Sequence, residues 1–161
     1  MGYMSDSNRS LANSGRSGKI IAISIAKEKG VKKNNVREAE LKEGFGIVGD
    51  AHGGSWHRQV SLLAEESIEK MRAKGLKVGP GDFAENITTK GINLIDLWLG
   101  AKLTIGKDAV LEVTQFGKEC HTRCTIYYQA GDCIMPKEGV FAKVLKGGLI
   151  KPGDEIIVMV R

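Results

Sequence analysis

Cysteine is scarce, and it comes in an odd number. Cys120, Cys124 and Cys133 are the only three in 161 residues, which argues against the disulfide framework of a small secreted domain. No apolar run approaches the ~18 residues that a bilayer span requires. The N-terminus has no hydrophobic stretch of the kind that marks a secretory signal. The expectation is therefore a cytoplasmic chain with no membrane partner. Aromatic residues amount to 6%, and the charge excess of +5 is mild. Its densest cluster, Lys27, Lys29, Lys32 and Lys33, is followed at once by Glu38, Glu40 and Glu43. A nucleic-acid surface would concentrate its basic residues in a stripe with interleaved aromatics, so no nucleic-acid partner is expected. A mild positive field suits a merely soluble surface, and it also attracts anionic small molecules.

What is abundant is glycine, with 21 residues, inside an ordinary globular balance of 42% hydrophobic and 27% charged residues. The length favours one domain with a core of its own. Residues 1–17, rich in Ser, Asn, Gly and Arg, read as a disordered tail, and the domain is expected over 18–161. Lys19 to Ala26 is β-branched and roughly alternating, which predicts a strand. A strand is also read over 36–45. Strand character returns at Arg58 to Leu63, Lys102 to Ile105, Ala109 to Thr114 and Glu155 to Val160. Ala64, Ile68 and Met71 share a helical face, with acidic residues first, basic residues last and Gly75 beyond the end. Val140, Phe141, Val144 and Leu145 suggest a second brief helix stopped by Gly147 and Gly148. Short strands between frequent glycine turns, with few helices, predict a mainly β, barrel-like fold.

Three stretches could carry chemistry. In Gly117-Lys118-Glu119-Cys120-His121-Thr122-Arg123-Cys124, cations surround two thiols. Thiolate is the reactive form of cysteine, and neighbouring positive charge favours it. Such a segment suits a nucleophile, a persulfide carrier or a soft-metal ligand. The same cysteines could equally be small buried hydrophobes. Cys133, further along, reads as structural. His121, His52 and His57 could complete a zinc site with the thiols, although Cys-x3-Cys is not the usual zinc-knuckle spacing. The second stretch runs from Gly49 to Gln59 and includes Asp50, His52, Gly53, Gly54, His57 and Arg58. Glycine-rich backbone can approach a ligand closely, and His52 and Arg58 add donors suited to an oxyanion. A tight β-connection would look the same. The third is Gly79-Pro80-Gly81-Asp82-Phe83-Ala84-Glu85-Asn86-Ile87. There Glu85 and Asn86 could meet a ligand or satisfy the backbone of their own turn.

In this order and spacing, the chain resembles the MOSC domain, the C-terminal module of molybdenum-cofactor sulfurases, in its short stand-alone bacterial form. The resemblance covers residues 18–161. It rests on Gly49-Asp50-x-His52 and Arg58-Gln59-Val60-Ser61-Leu62-Leu63, then on Gly79 to Ile87. It continues through Leu99-Gly100-Ala101, Leu103-x-Ile105-Gly106, the Cys120–Cys124 stretch and Lys151-Pro152-Gly153-Asp154-Glu155-Ile156. The resemblance implies a barrel-centred fold with an essential cysteine that carries sulfur or ligates molybdenum. Larger relatives show an Arg-Cys pair, which maps onto Arg123-Cys124. Shorter ones show Gly-x-Pro-Cys, which maps onto Gly117 to Cys120 with Glu119 in place of proline. Cys124 is the first candidate, also as a molybdenum ligand, and Cys120 is its partner. His52, Arg58 and Arg123 would hold an anionic molybdopterin cofactor or the donor group, and Glu85 and Asn86 would line the same pocket.

Three readings remain open at this level. The first is a sulfur carrier or molybdenum-cofactor-binding protein. The chain has no pyridoxal-phosphate desulfurase module, so a separate cysteine desulfurase would be the sulfur donor. A molybdenum-cofactor biosynthesis protein or a molybdoenzyme would be the acceptor. The second is a stand-alone molybdenum-dependent oxidoreductase of N-hydroxylated substrates. Its larger relatives carry an extra N-terminal β-barrel domain, for which these residues have no room. The third is a non-catalytic interaction domain with structural zinc. Whether the chain is an enzyme is thus left open.

Overall fold

The computed structural model describes residues 16–29, 31–117 and 138–160. Strand β1 (Ser17–Ile25) opens the fold. Three short strands follow, β2 (Asn34–Val36), β3 (Ala39–Lys42) and β4 (Gly46–Ile47). Then come β5 (Val60–Ala64) and helix α1 (Glu65–Arg72). Strand β6 (Ile87–Lys90) and a 3-10 turn at Leu94–Asp96 lead to β7 (Lys102–Ile105) and β8 (Ala109–Phe116). The chain ends through β9 (Val140–Lys146), β10 (Gly148–Ile150) and β11 (Glu155–Val158).

Seven strands close into a barrel in the order β11-β7-β8-β9-β5-β6-β1, with β1 pairing back onto β11. Strand β2 hangs on the side of β1, and β10-β3-β4 form a separate small sheet. Closure removes the exposed edges that an open sheet of this length would present. The neighbours are antiparallel except for β5 and β6. A parallel pair needs a crossover, and α1 lies within it. The mainly β, barrel-like expectation holds. No helix among the described residues is long and apolar enough to cross a membrane.

The burial pattern explains the strand that sequence reading took for a helix. Val140, Ala142 and Val144 face the barrel interior with Leu62, Ile87, Leu111 and Ile156. Phe141, between them, points the other way, into a second cluster of Leu63, Ile68, Met71 and Phe83 under α1. A strand buried on both faces loses its polar alternation. Its nearly continuous apolar run then matches a helical face as well as a strand. Strand β9 pairs with both β5 and β8, so tertiary pairing decides its structure. The strand read over 36–45 resolves into β2, β3 and the turn before β4, and β10 was not foreseen. Helix α1 begins one residue after Ala64 and ends at Arg72, with its first-turn Glu65 and last-turn Arg72 joined by a salt bridge.

Candidate functional site

The loop after β4 is built around a buried carboxylate. Asp50 Oδ1 accepts from the Ala26 N–H at 3.1 Å and from Lys33 Nζ at 2.6 Å, while Oδ2 accepts from the His52 N–H at 3.2 Å. Both side chains of the Lys33–Asp50 pair are fully buried. Burial alone would push the Asp50 carboxyl up, but the Lys33 ammonium and the Ala26 amide hold it below the usual carboxylate range. Asp50 thus ties the end of β1, the segment before β2 and the loop after β4 to one point. Sequence reading counted Lys33 within a surface basic cluster. Nothing in the composition of that run distinguishes the lysine that turns inward from those that do not.

Lys33 also brings two of the three motifs together. Its N–H donates to the Gly81 carbonyl at 2.9 Å. Gly81 has φ +92°, and a Cβ there would stand 2.4 Å from the Lys33 carbonyl oxygen. Only glycine fits this backbone contact. The glycine at 53 has a comparable reason: its Cβ would meet the Phe45 ring at 2.4 Å. The close approach expected of it is to Phe45.

A cation–aromatic cluster follows. The His52 and Trp56 rings lie parallel with centroids 6.3 Å apart, and Trp56 Nε1 donates to the His52 carbonyl. The Arg58 guanidinium carbon lies 4.7 Å from the Trp56 ring centroid and 5.5 Å from that of Phe141, and Lys29 Nζ lies 4.8 Å from Trp56. Arg58 Nε is buried and has no hydrogen-bond partner among the described residues. Such a donor normally finds an acceptor, in the protein or in what the protein binds. Trp56 and Phe141, which frame it, were not singled out from sequence. The packing comes from β9, whose strand character was itself obscured.

The same loop is stitched to the end of the β8–β9 hairpin. Thr114 Oγ1 donates to the His57 carbonyl. His57 Nε2 contacts Gln115 Oε1 at 2.8 Å, and Gln115 Nε2 donates to the Gly117 carbonyl. Gly117 N–H in turn donates to the Gly139 carbonyl at 2.7 Å, so the two ends of segment 118–137 are held side by side. Glu138 is fixed to α1 through Ser67 Oγ at 2.6 Å and Lys70 Nζ at 2.8 Å. Cys120, His121, Arg123, Cys124 and Cys133 lie outside the described residues.

Of the expected ligand residues, the fold brings His52 and Arg58 together around Trp56. Glu85 and Asn86 are both fully buried and engaged within the fold, and the Asn86 side chain also helps to hold the Asp50 carboxyl down. Asn86 Oδ1 accepts from the Ser61 N–H and hydroxyl, its Nδ2 donates to the Ser24 carbonyl, and its own N–H donates to Ser61 Oγ. It clips β1 to β5 at the mouth of β6. Glu85 accepts from the Phe83 N–H and from Thr88 Oγ1. Burial outweighs those bonds and pushes its carboxyl up. Ala84, the residue between, adopts φ +65°, as this tight turn requires. Among the described residues no three His, Cys, Asp or Glu side chains gather as a metal site.

A closed seven-stranded barrel with one crossover helix, presenting a donor-rich aromatic loop beside a hairpin end, defines the class of protein. The family model described as the MOSC domain matches residues 49–157, and the chain belongs to the MOSC domain family. Such domains are commonly linked to the molybdenum cofactor. Among solved structures, the chain is similar to the YuaD protein from Bacillus subtilis, with TM-score 0.73 and 20% identity over 88% of this chain and 95% of that one. It is also similar to YiiM from Geobacillus stearothermophilus, with TM-score 0.66 and 21% identity over 89% of this chain and 76% of that one. For YiiM from Escherichia coli the TM-score is 0.64 and the identity 18%, over 89% and 70%. At these identities the likeness is one of fold. No curated protein matches the sequence.

Proposed function

We propose that this MOSC domain is a sulfur carrier or molybdenum-cofactor-binding protein. A thiolate in the Cys120–Cys124 stretch would act beside an anion-holding loop formed by His52, Trp56 and Arg58. The observation that carries the reading is Arg58, whose Nε is a buried donor with no hydrogen-bond partner among the described residues, on a loop bonded to the hairpin end from which the cysteine-bearing segment departs. Cys120 follows Gly117 by three residues and Cys124 by seven. A chain reach of ~3.5 Å per residue limits them to about 10 Å and about 25 Å from that anchored glycine.

The donor set fits an anionic group. Arg58 offers a fork suited to phosphate, and Lys29 adds a second cation over the Trp56 ring. Molybdenum cofactor, when bound, supplies a metal that a cysteine thiolate suits as a soft ligand. His52 and Arg58 would hold its anionic part, with Arg123 as a further cation, while Glu85 and Asn86 support the fold behind them. In the carrier form, the thiolate attacks the outer sulfur of a desulfurase persulfide. One S–S bond forms on this chain and one breaks on the donor. The donor leaves as its own thiolate, and the outer sulfur keeps its proton.

Incubation with a pyridoxal-phosphate-dependent cysteine desulfurase and labelled cysteine, followed by intact mass, tests the carrier form. One added sulfur is expected, lost in Cys124→Ser or, if Cys120 is the acceptor, in Cys120→Ser. No added sulfur in the wild type would remove that form. Metal analysis of protein from a molybdenum-replete host separates the rest: stoichiometric molybdenum favours cofactor binding and would open the oxidoreductase reading, whereas stoichiometric zinc would favour an interaction domain.

A further inference from the structure

Strand β8 breaks its alternation just before the hairpin end. Val113 pairs with Ala142 and Gln115 with Phe141, so β8 carries one residue more than β9 over this step. A bulge of this kind re-aims side chains and is common next to active sites. In a regular strand Thr114 and Gln115 would point to opposite faces. Here both reach the same residue. Thr114 Oγ1 donates to the His57 carbonyl, and Gln115 Oε1 meets His57 Nε2 at 2.8 Å. The bulge thus holds one histidine by its main chain and by its ring.

The far end of the Gln115 amide sets the polarity of the ring contact. Gln115 Nε2 lies 2.7 Å from the Gly117 carbonyl oxygen. A carbonyl only accepts, so the amide turns its NH2 to Gly117 and its oxygen to His57. That oxygen takes a hydrogen bond from Nε2–H. In the neutral ring the other nitrogen, Nδ1, then carries a lone pair. His57 is exposed, and Nδ1 meets no hydrogen-bond partner among the described residues. The neighbouring cation, Arg58, is turned onto the Trp56 and Phe141 rings.

We infer that His57 is a general base for a thiol at the hairpin end, with Gln115 as the residue that positions it. This deepens the proposed sulfur chemistry and rests on it for the identity of the thiol, one of those in the segment that departs from Gly117. A base oriented by a third group is the arrangement that activates a nucleophile. In the step, the S–H bond breaks, the proton goes to Nδ1 and the electron pair stays on sulfur. The products are a thiolate and an imidazolium. Nε2–H still donates to Gln115 Oε1, and the bond strengthens because its donor is now charged. The amide therefore favours the state that the transfer creates. A carboxylate in its place would favour the charged ring from the outset, leaving no lone pair to accept. Once the thiolate has attacked a persulfide, the imidazolium returns its proton to the donor's departing thiolate.

The test is the rate at which iodoacetamide alkylates the unloaded protein, with the modified cysteine located by mass spectrometry. An unassisted thiol is only a few per cent thiolate near pH 7, so a base at hand can change the rate by ~tenfold or more. His57→Gln keeps a side-chain donor for Gln115 but cannot take up the proton. It is expected to slow alkylation in the 120–124 stretch about tenfold near pH 7. Above about pH 10, where thiols ionise unaided, it is expected to match the wild type. Gln115→Met, which releases the ring, is expected to show the same pattern and carries the comparison if His57→Gln does not fold. In the 15N NMR spectrum of the wild type, the neutral His57 ring is expected to bear its proton on Nε2. A neutral ring with Nδ1–H overturns the proposal, as does an unchanged alkylation rate in the folded variants. A deficit that persists at high pH marks a structural role and overturns it as well. No desulfurase is present in any of these measurements, so a failure of sulfur uptake would remove the carrier form and leave their outcome standing.

Discussion

Asp50 and Glu85 are carboxyls placed on two different loops, and burial acts on both. For Asp50 the Lys33 ammonium and the Ala26 amide outweigh it, so the folded-state pKa falls below the ordinary 3.8. Its contribution to stability is present above 3.8 and is lost as pH falls through the lowered value. For Glu85 burial wins over the hydrogen bonds from Thr88 and Phe83, and the folded-state pKa rises above the ordinary 4.5. Its contribution is full below 4.5 and is lost as pH rises through the raised value. Glu85→Gln keeps an acceptor for Phe83 and a donor for Thr88 but cannot ionise. Chemical denaturation of the two proteins should therefore give a stability difference that is constant below 4.5 and shifts in favour of the variant as pH rises. A pH-independent difference would show that Glu85 is not held above its ordinary range. Sequence reading identified Glu85 and Asn86 as notable and left two roles open. The residue types were legible. Which way the side chains turn depends on β1 and β5, distant in sequence, whose Ser24 and Ser61 engage Asn86.

Elements joined through glycine contacts make the second scale. Gly81 touches the backbone of Lys33, and with it the support of His52. Gly81→Ala would impose a left-handed conformation costing ~1–3 kcal/mol and a backbone clash costing a further ~1–3 kcal/mol. A loss of at least about 2 kcal/mol is expected by denaturation. Gly100→Ala provides the control: its φ is also positive, at +86°, but its Cβ would meet nothing within 4 Å, so it should carry the conformational cost without the clash. Equal losses in the two variants would contradict the packing role of Gly81. Strands with alternating faces, such as β7 and β11, were legible in sequence, as was α1, with its charge-biased ends. Strand β9 was not, because both of its faces are buried and periodicity cannot then distinguish it from a helix. Strand β10 was not, because three residues carry too little pattern.

At the scale of the molecule, barrel closure sets the His52–Arg58 loop against the β8–β9 hairpin end. The glycine turns and short strands predicted this kind of fold, and the motif order resembled the family to which the chain belongs. The Lys33–Asp50–His52 chain and the Trp56–Arg58–Phe141 stack were not legible, since each joins residues from separate strands and loops. The central claim is that the loop and the cysteine-bearing segment act as one site, with Arg58 receiving the anionic partner. Arg58→Met keeps much of the apolar stem between Trp56 and Phe141 while removing the buried Nε donor, which has no partner among the described residues, a group whose burial costs ~1–3 kcal/mol. Its stability should therefore match or exceed that of the wild type. The decisive measurement is the rate at which the cysteines take up sulfur from a desulfurase persulfide in Arg58→Met and in the wild type, with thermal unfolding followed alongside. A fall of about tenfold or more, equivalent to ~1.4 kcal/mol of lost stabilisation, is expected with stability unimpaired. An unchanged rate in the variant, or no uptake by the wild type, would contradict the account.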